Sequence, residues 1–144
     1  MILVDTTVLV YTLGADHRLR APCRALLELV RDGHVRAHAT VGVVQEFTHV
    51  RSRRHSRDEA VARARQYALG FAPLVQPGED DLSEGLDIFE TTAGLGPFDA
   101  VLATVALRRH WALVSADQSF GDVVGLRHLD PSSPNFLGEL DVAR

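Results

Sequence analysis

The chain contains no lysine, so its fifteen cationic side chains are all arginine. That absence excludes mechanisms that require a lysine, the phosphate-binding P-loop among them. It has one cysteine, Cys23, set among apolar residues at helical spacing. A disulfide framework is therefore excluded, and a reducing cytoplasm fits. No apolar run approaches the ~20 residues needed to span a bilayer, so no membrane partner is expected. The first strand signal begins at residue 2, which leaves no room for a signal peptide ahead of it. Histidine is present seven times but scattered. Glu46-x-x-His49 resembles half of a di-iron helix-bundle site, but the second copy that site needs is missing.

What is present suits one globular domain: 144 residues with 46% hydrophobic content. Ile2 to Val4 is a short apolar run of the kind that makes a strand buried on both faces. Asp5 breaks it with a charge, and Thr6 and Thr7 follow. Residues 13–17 read as a loop and residues 18–31 as a helix, with Cys23, Leu26, Leu27 and Val30 at i, i+3, i+4, i+7 and Gly33 as the stop. Residues 35–39 give a weak strand. Thr40 is a good N-cap for a helix over residues 41–53. Ser56-Arg57-Asp58-Glu59 reads as a capping box opening a helix with Val61, Ala64 and Ala68 inward. Residues 71–75 read as another strand. A helix starting at Asp81 carries Leu82, Leu86 and Phe89 along one side, its many acids explained by the helix dipole. An apolar helix follows over residues 97–110, then strands over 112–115 and 126–129, and a Pro/Ser-rich tail expected on the surface.

Four acids stand in unusual places. Asp5 and Asp117 each close an apolar strand. Glu46 occupies the i+3 position of the stripe Val43, Phe47, Val50, on the face expected to be buried. Asp99 lies one turn before Leu102 and Ala103 on an inward stripe. Taken singly, each has an ordinary explanation: Asp5 as an N-cap, Asp99 as a first-turn acid favoured by the helix dipole, Asp117 as a turn former. Strands alternating with helices predict a mainly parallel sheet with helices on both faces. Ligands in such folds bind beyond the C-terminal ends of strands, where strand order reverses. If the strands bearing Asp5 and Asp117 are neighbours there, the four carboxylates share one cleft. Crowded carboxylates call for a cation, and an all-oxygen set suits Mg²⁺, with Mn²⁺ able to substitute. Such ions activate water and stabilise charge on a phosphodiester.

Asp5-Thr6-Thr7-Val8-Leu9, Val44-Gln45-Glu46-Phe47, Phe98-Asp99-Ala100 and Ser115-Ala116-Asp117, in this order along essentially the whole chain, resemble the PIN-domain ribonucleases. The size and the His128-Leu129-Asp130-Pro131 ending resemble the VapC-type toxins of bacterial toxin–antitoxin pairs. The resemblance implies a single three-layer α/β/α domain over residues 1–144 and Mg²⁺-dependent endonucleolytic cleavage of RNA. Its acidic quartet would be Asp5, Glu46, Asp99 and Asp117, with Asp5, Asp99 and Asp117 holding metal and Thr6 and Ser115 in support. It also implies a homodimer and a cognate antitoxin that blocks the site. Ser115 stands where Thr is common and keeps the hydroxyl. Ser119 stands where many members carry a further Asp, for which Asp122 is the replacement at hand. The net charge of −4 hides a basic cluster, residues 51–57, in which Arg51, Arg53 and Arg54 suit phosphate contacts beside the acids.

Two other classes fit less well. Asp5-x-Thr7 is similar to the opening of haloacid-dehalogenase-like phosphatases, which act on small phosphorylated substrates. Those carry a second Asp near that position and a lysine, both missing here. A catalytically silent binding module with the same fold would not need acids at all four positions.

Overall fold

In a computed structural model, which describes residues 1–142, Ile2–Val4 forms β1 with all three side chains buried. That is the requirement for a strand covered on both faces. β1 lies inside a four-stranded sheet of order β2-β1-β3-β4, with β2 at Ala37–His38, β3 at Ala112–Val114 and β4 at His128–Leu129. Every pairing is parallel, and Val4 stands opposite Val114, which in turn pairs with Leu129. Helices cover the sheet in a three-layer α/β/α arrangement.

Local sequence sets where the helices begin. Asp5 caps α1 (Thr6–Leu13) by accepting from the Thr7 amide, and Thr40 caps α3 (Val41–Ser52) by accepting from Val43. Ser56 caps α4 (Arg57–Gly70) by accepting from Glu59, and Pro97 opens α6 (Pro97–Arg108) at a position where a missing N–H is harmless. Each side-chain cap is worth about 1 kcal/mol. Helix α2 (Arg20–Arg31) buries Cys23 and Leu26 and ends before Gly33, whose φ of 76° is the left-handed conformation glycine tolerates.

Several expectations are corrected. Residues 71–75 are not a strand: Thr40 and Val75 form one isolated bridge, and Pro73 has no N–H to extend a ladder. In α4 the inward residues are Ala60, Ala64 and Tyr67, with Tyr67 edge-on to Phe47, while Val61 is exposed. The capping box is only half made, because the Glu59 carboxylate turns to Arg51 instead of back to Ser56.

Helix α5 (Glu79–Thr91) turns the other way round from its hydrophobic pattern. Its buried residues are Asp81 and Gly85, and Leu82, Leu86 and Phe89 lie about half exposed. A Cβ on Gly85 would stand 2.9 Å from the Val101 Cα. That glycine lets α5 and α6 approach closely, and Asp81 lies within ion-pair distance of Arg108 and Arg109. The tail is also not superficial. Phe136 and Leu140, i and i+4 on α7 (Phe136–Val142), are buried and belong to the same core cluster as Ile2, Phe47 and Phe120.

Candidate active site

The chain leaves β1, crosses to β2 on one side, and returns to β3 on the other. The crevice that this reversal opens lies at the C-terminal ends of β1 and β3. Asp5 is the first residue beyond β1 and is only 4% exposed. Its Oδ2 accepts from Ser115 Oγ at 2.7 Å, from Thr7 Oγ1 at 2.8 Å and from the Thr7 amide at 3.3 Å. Ser115, the first residue beyond β3, is fully buried and also accepts from the Asp117 amide at 3.0 Å. Thr7 Oγ1 accepts from the Ala116 amide at 3.0 Å. Two hydroxyls therefore lace the ends of adjacent strands together through one carboxylate oxygen.

The other acids come from three elements. Asp117 ends the β3 segment and caps a short 3-10 turn, Gln118–Asp122; its Oδ1 accepts from the Ser119 amide at 2.9 Å and the Ser119 hydroxyl at 2.7 Å. Glu46, from α3, accepts from Thr6 Oγ1 at 2.5 Å. Glu46 is not buried as its stripe implied. Val43 and Phe47 enter the core, whereas Glu46 is an exposed residue at the wall of the cleft. Asp99 occupies the third position of α6, where the Gly96 backbone favours its charged form. A side chain at Gly96 would bring a Cβ to 3.3 Å from Asp99 Oδ2, so this glycine leaves the carboxylate its room.

The acids act on one another. Burial, and then the charges of Asp5, Glu46 and Asp117, push the Asp99 carboxyl up to about 6. Like charges without a counter-ion have this effect. Among the described residues, no three of these carboxylates are drawn tightly enough together to encircle an ion as they stand. Yet the donor set suits a hard divalent cation. Asp5, Glu46 and Asp117 are each anchored through one oxygen, and their second oxygen makes no hydrogen bond among the described residues. Asp5, Glu46 and Asp99 also line one cavity of about 830 Å³, which continues between α3 and the α5–α6 pair past Val43, Leu82 and Phe98.

Not every candidate gathers here. Asp122 is exposed at the end of the 3-10 turn and is not among the charges acting on Asp99. Arg51 is committed elsewhere: its guanidinium pairs with both Glu59 oxygens, at 2.8 and 2.7 Å, and reaches the Leu13 carbonyl. Arg53 and Arg54 remain exposed, with no ion pair among the described residues. Sequence reasoning named Thr7 and Ser119 but gave neither a part in fixing the acids. Both stand two residues after an Asp, the spacing at which a carboxylate bonds the backbone ahead of it.

A short parallel sheet with acids gathered at its strand-order reversal defines an α/β domain whose ligand crevice is acidic. Residues 2–126 match the PIN domain family. The chain belongs to that family, and within it to the VapC group. It is 44% identical to Ribonuclease VapC7 of Mycobacterium tuberculosis over 97% of this chain and 98% of that protein. It is 30% identical to Ribonuclease VapC13 of the same organism over 90% of this chain and 99% of the relative. Among solved structures, VapBC2 from Rickettsia felis, bound to a DNA fragment from its promoter, superposes with a TM-score of 0.71 at 15% identity. That match covers 90% of this chain and 98% of the other. FitAcB from Neisseria gonorrhoeae gives 0.68 at 17% identity, over 91% and 98%.

Proposed function

We propose that the chain is a divalent-cation-dependent endoribonuclease, the toxin of a toxin–antitoxin pair, hydrolysing RNA phosphodiesters at Asp5, Glu46, Asp99 and Asp117. The observation that carries this reading is the placement of Asp5, Glu46 and Asp99, from three different elements, on one cavity at the strand-order reversal, where burial and neighbouring acids push the Asp99 carboxyl up to about 6. A hard divalent cation would relieve such repulsion. Asp5, Asp99 and Asp117 would hold Mg²⁺, or Mn²⁺ in its place. The cation supplies Lewis-acid activation of water and charge stabilisation on the phosphoryl oxygens.

The chain's own groups do the positioning. Ser115 and Thr7 fix Asp5, Ser119 fixes Asp117, and Thr6 orients Glu46. Glu46 stands at the cleft wall, where it can accept a proton from the attacking water. Arg53 and Arg54 are the cations left to grip flanking phosphates. A small partner antitoxin would silence the cleft by inserting an arginine toward Asp5 and Asp99, a bidentate pairing in the cation's place. The family resemblance implies a homodimer and the lone cysteine fits a reducing cytoplasm; the half-exposed Leu86 and Phe89 of α5 are the candidate contact face between copies.

Purified protein should cut RNA with Mg²⁺ or Mn²⁺, stop in EDTA, and lose cleavage on Asp99→Asn while staying folded. Undiminished cleavage by the folded Asp99→Asn protein would overturn the reading.

A further inference from the structure

We propose that the cavity leading out of the acidic cleft is a nucleobase subsite. In it, Phe98 stacks on a base flanking the scissile phosphate, and Gln45 and His49 contact that base's polar edge. The assignment rests on the ribonuclease reading above and names where its specificity resides.

Phe98 is the residue before Asp99 and is 86% exposed. An aromatic face left open to water beside a phosphodiester-cutting centre is what an unpaired base stacks upon. Across the cavity, Gln45 and His49 sit one turn apart on α3, flanking Glu46. Both are exposed, and neither side chain makes a hydrogen bond with a described residue. An amide and an imidazole supply the donors and acceptors that base edges require.

Charge selects which part of the nucleotide enters. The lining includes Asp5, Glu46, Asp99 and Glu79 and no arginine. A phosphate would be repelled there, whereas a neutral base against Leu82, Val101 and Phe98 would not. The volume, about 830 Å³, is ample for a nucleoside. Continuity completes the case, because a phosphate held at the quartet leaves its own base within reach of the same cavity.

The test uses the full chain with Mg²⁺ on a random-sequence single-stranded RNA pool, with the new ends sequenced and KM and kcat measured on one preferred oligonucleotide. Wild type should show a base preference at a nucleotide flanking the cut. Gln45→Ala should flatten the preference at that position alone. Phe98→Ser should raise KM about tenfold with little change in kcat, and Phe98→Tyr should restore it. Because Phe98 is exposed, unfolding temperatures should match wild type. If wild type cuts RNA and both variants keep its preference and KM, the subsite is wrong while the ribonuclease reading stands. If Phe98→Ser instead converts a dimer to monomer with preference and KM unchanged, the ring belongs to an interface between copies and the subsite is refuted. If wild type cuts no RNA, the ribonuclease reading falls, and the subsite with it.

Discussion

Asp99→Asn should make the protein more stable at neutral pH, in the absence of divalent cations. A carboxyl held at about 6 instead of 3.8 disfavours the ionised folded state by about 3 kcal/mol at neutral pH. Asp99 is only partly shielded, and solvent and salt screening reduce this to about 1–2 kcal/mol. The helix dipole favours an anion at this position by at most about 1 kcal/mol, and the raised pKa shows that burial and repulsion outweigh it. Asparagine keeps the shape and removes the charge. The sign follows from the direction of the shift. Below pH 3.8 the group is protonated in both states and costs nothing; the penalty grows as pH rises and is complete above about 6. The variant's advantage at pH 7.5 should be about 3–6 °C in Tm for a chain of this size, shrinking to about a third of that at pH 4.5. Thermal unfolding in EDTA at the two pH values measures it. An equal gain at both, or none at pH 7.5, would refute electrostatic crowding at Asp99.

Ser115→Ala should cost about 1–3 kcal/mol of stability, because it strips a buried donor from Asp5 and a buried acceptor from the Asp117 amide; cleavage should fall with it, measured beside chemical denaturation. Arg51→Ala should lower the unfolding temperature by releasing Glu59, whereas Arg53→Ala and Arg54→Ala should leave it unchanged and instead weaken RNA binding and flatten its salt dependence. Asp5→Asn with Asp99→Asn should weaken the antitoxin complex in a calorimetric titration. Unchanged affinity would show that inhibition works by covering RNA access from elsewhere.

The candidate quartet stood out because each of its acids interrupts a local pattern: Asp5 and Asp117 follow apolar strands, and Glu46 and Asp99 interrupt apolar stripes, although the burial that the stripe implied for Glu46 is not found. The helix caps were legible for the same reason, since Thr40 and Ser56 act on amides three residues away. What failed depends on distant partners. The apolar stripe of α5 gave the wrong inward face, because Arg108 and Arg109 draw Asp81 inward and Gly85 admits Val101. The tail's sparse composition concealed Phe136 and Leu140, whose burial depends on packing of α7 against α2. Arg51 has the local sequence of a phosphate ligand, but its guanidinium reaches across eight residues to Glu59.

The site and the sheet are specified by the same register. Pairing of Val4 with Val114 is what brings Asp5 beside Ser115, and their 2.7 Å hydrogen bond needs that alignment. A slip of one residue would turn the buried side chains of β1 to the opposite face and carry Asp5 out of reach of both Ser115 and the Ala116 segment held by Thr7. The buried hydroxyls therefore serve twice. They satisfy a carboxylate that would otherwise be costly to bury, and they set the separation between the acids ending β1 and β3. Crowding makes the cation-free cleft unfavourable, and the strand pairing holds the acids there nonetheless. On the proposed reading, a bound cation would return as stability the free energy the fold spends in gathering like charges.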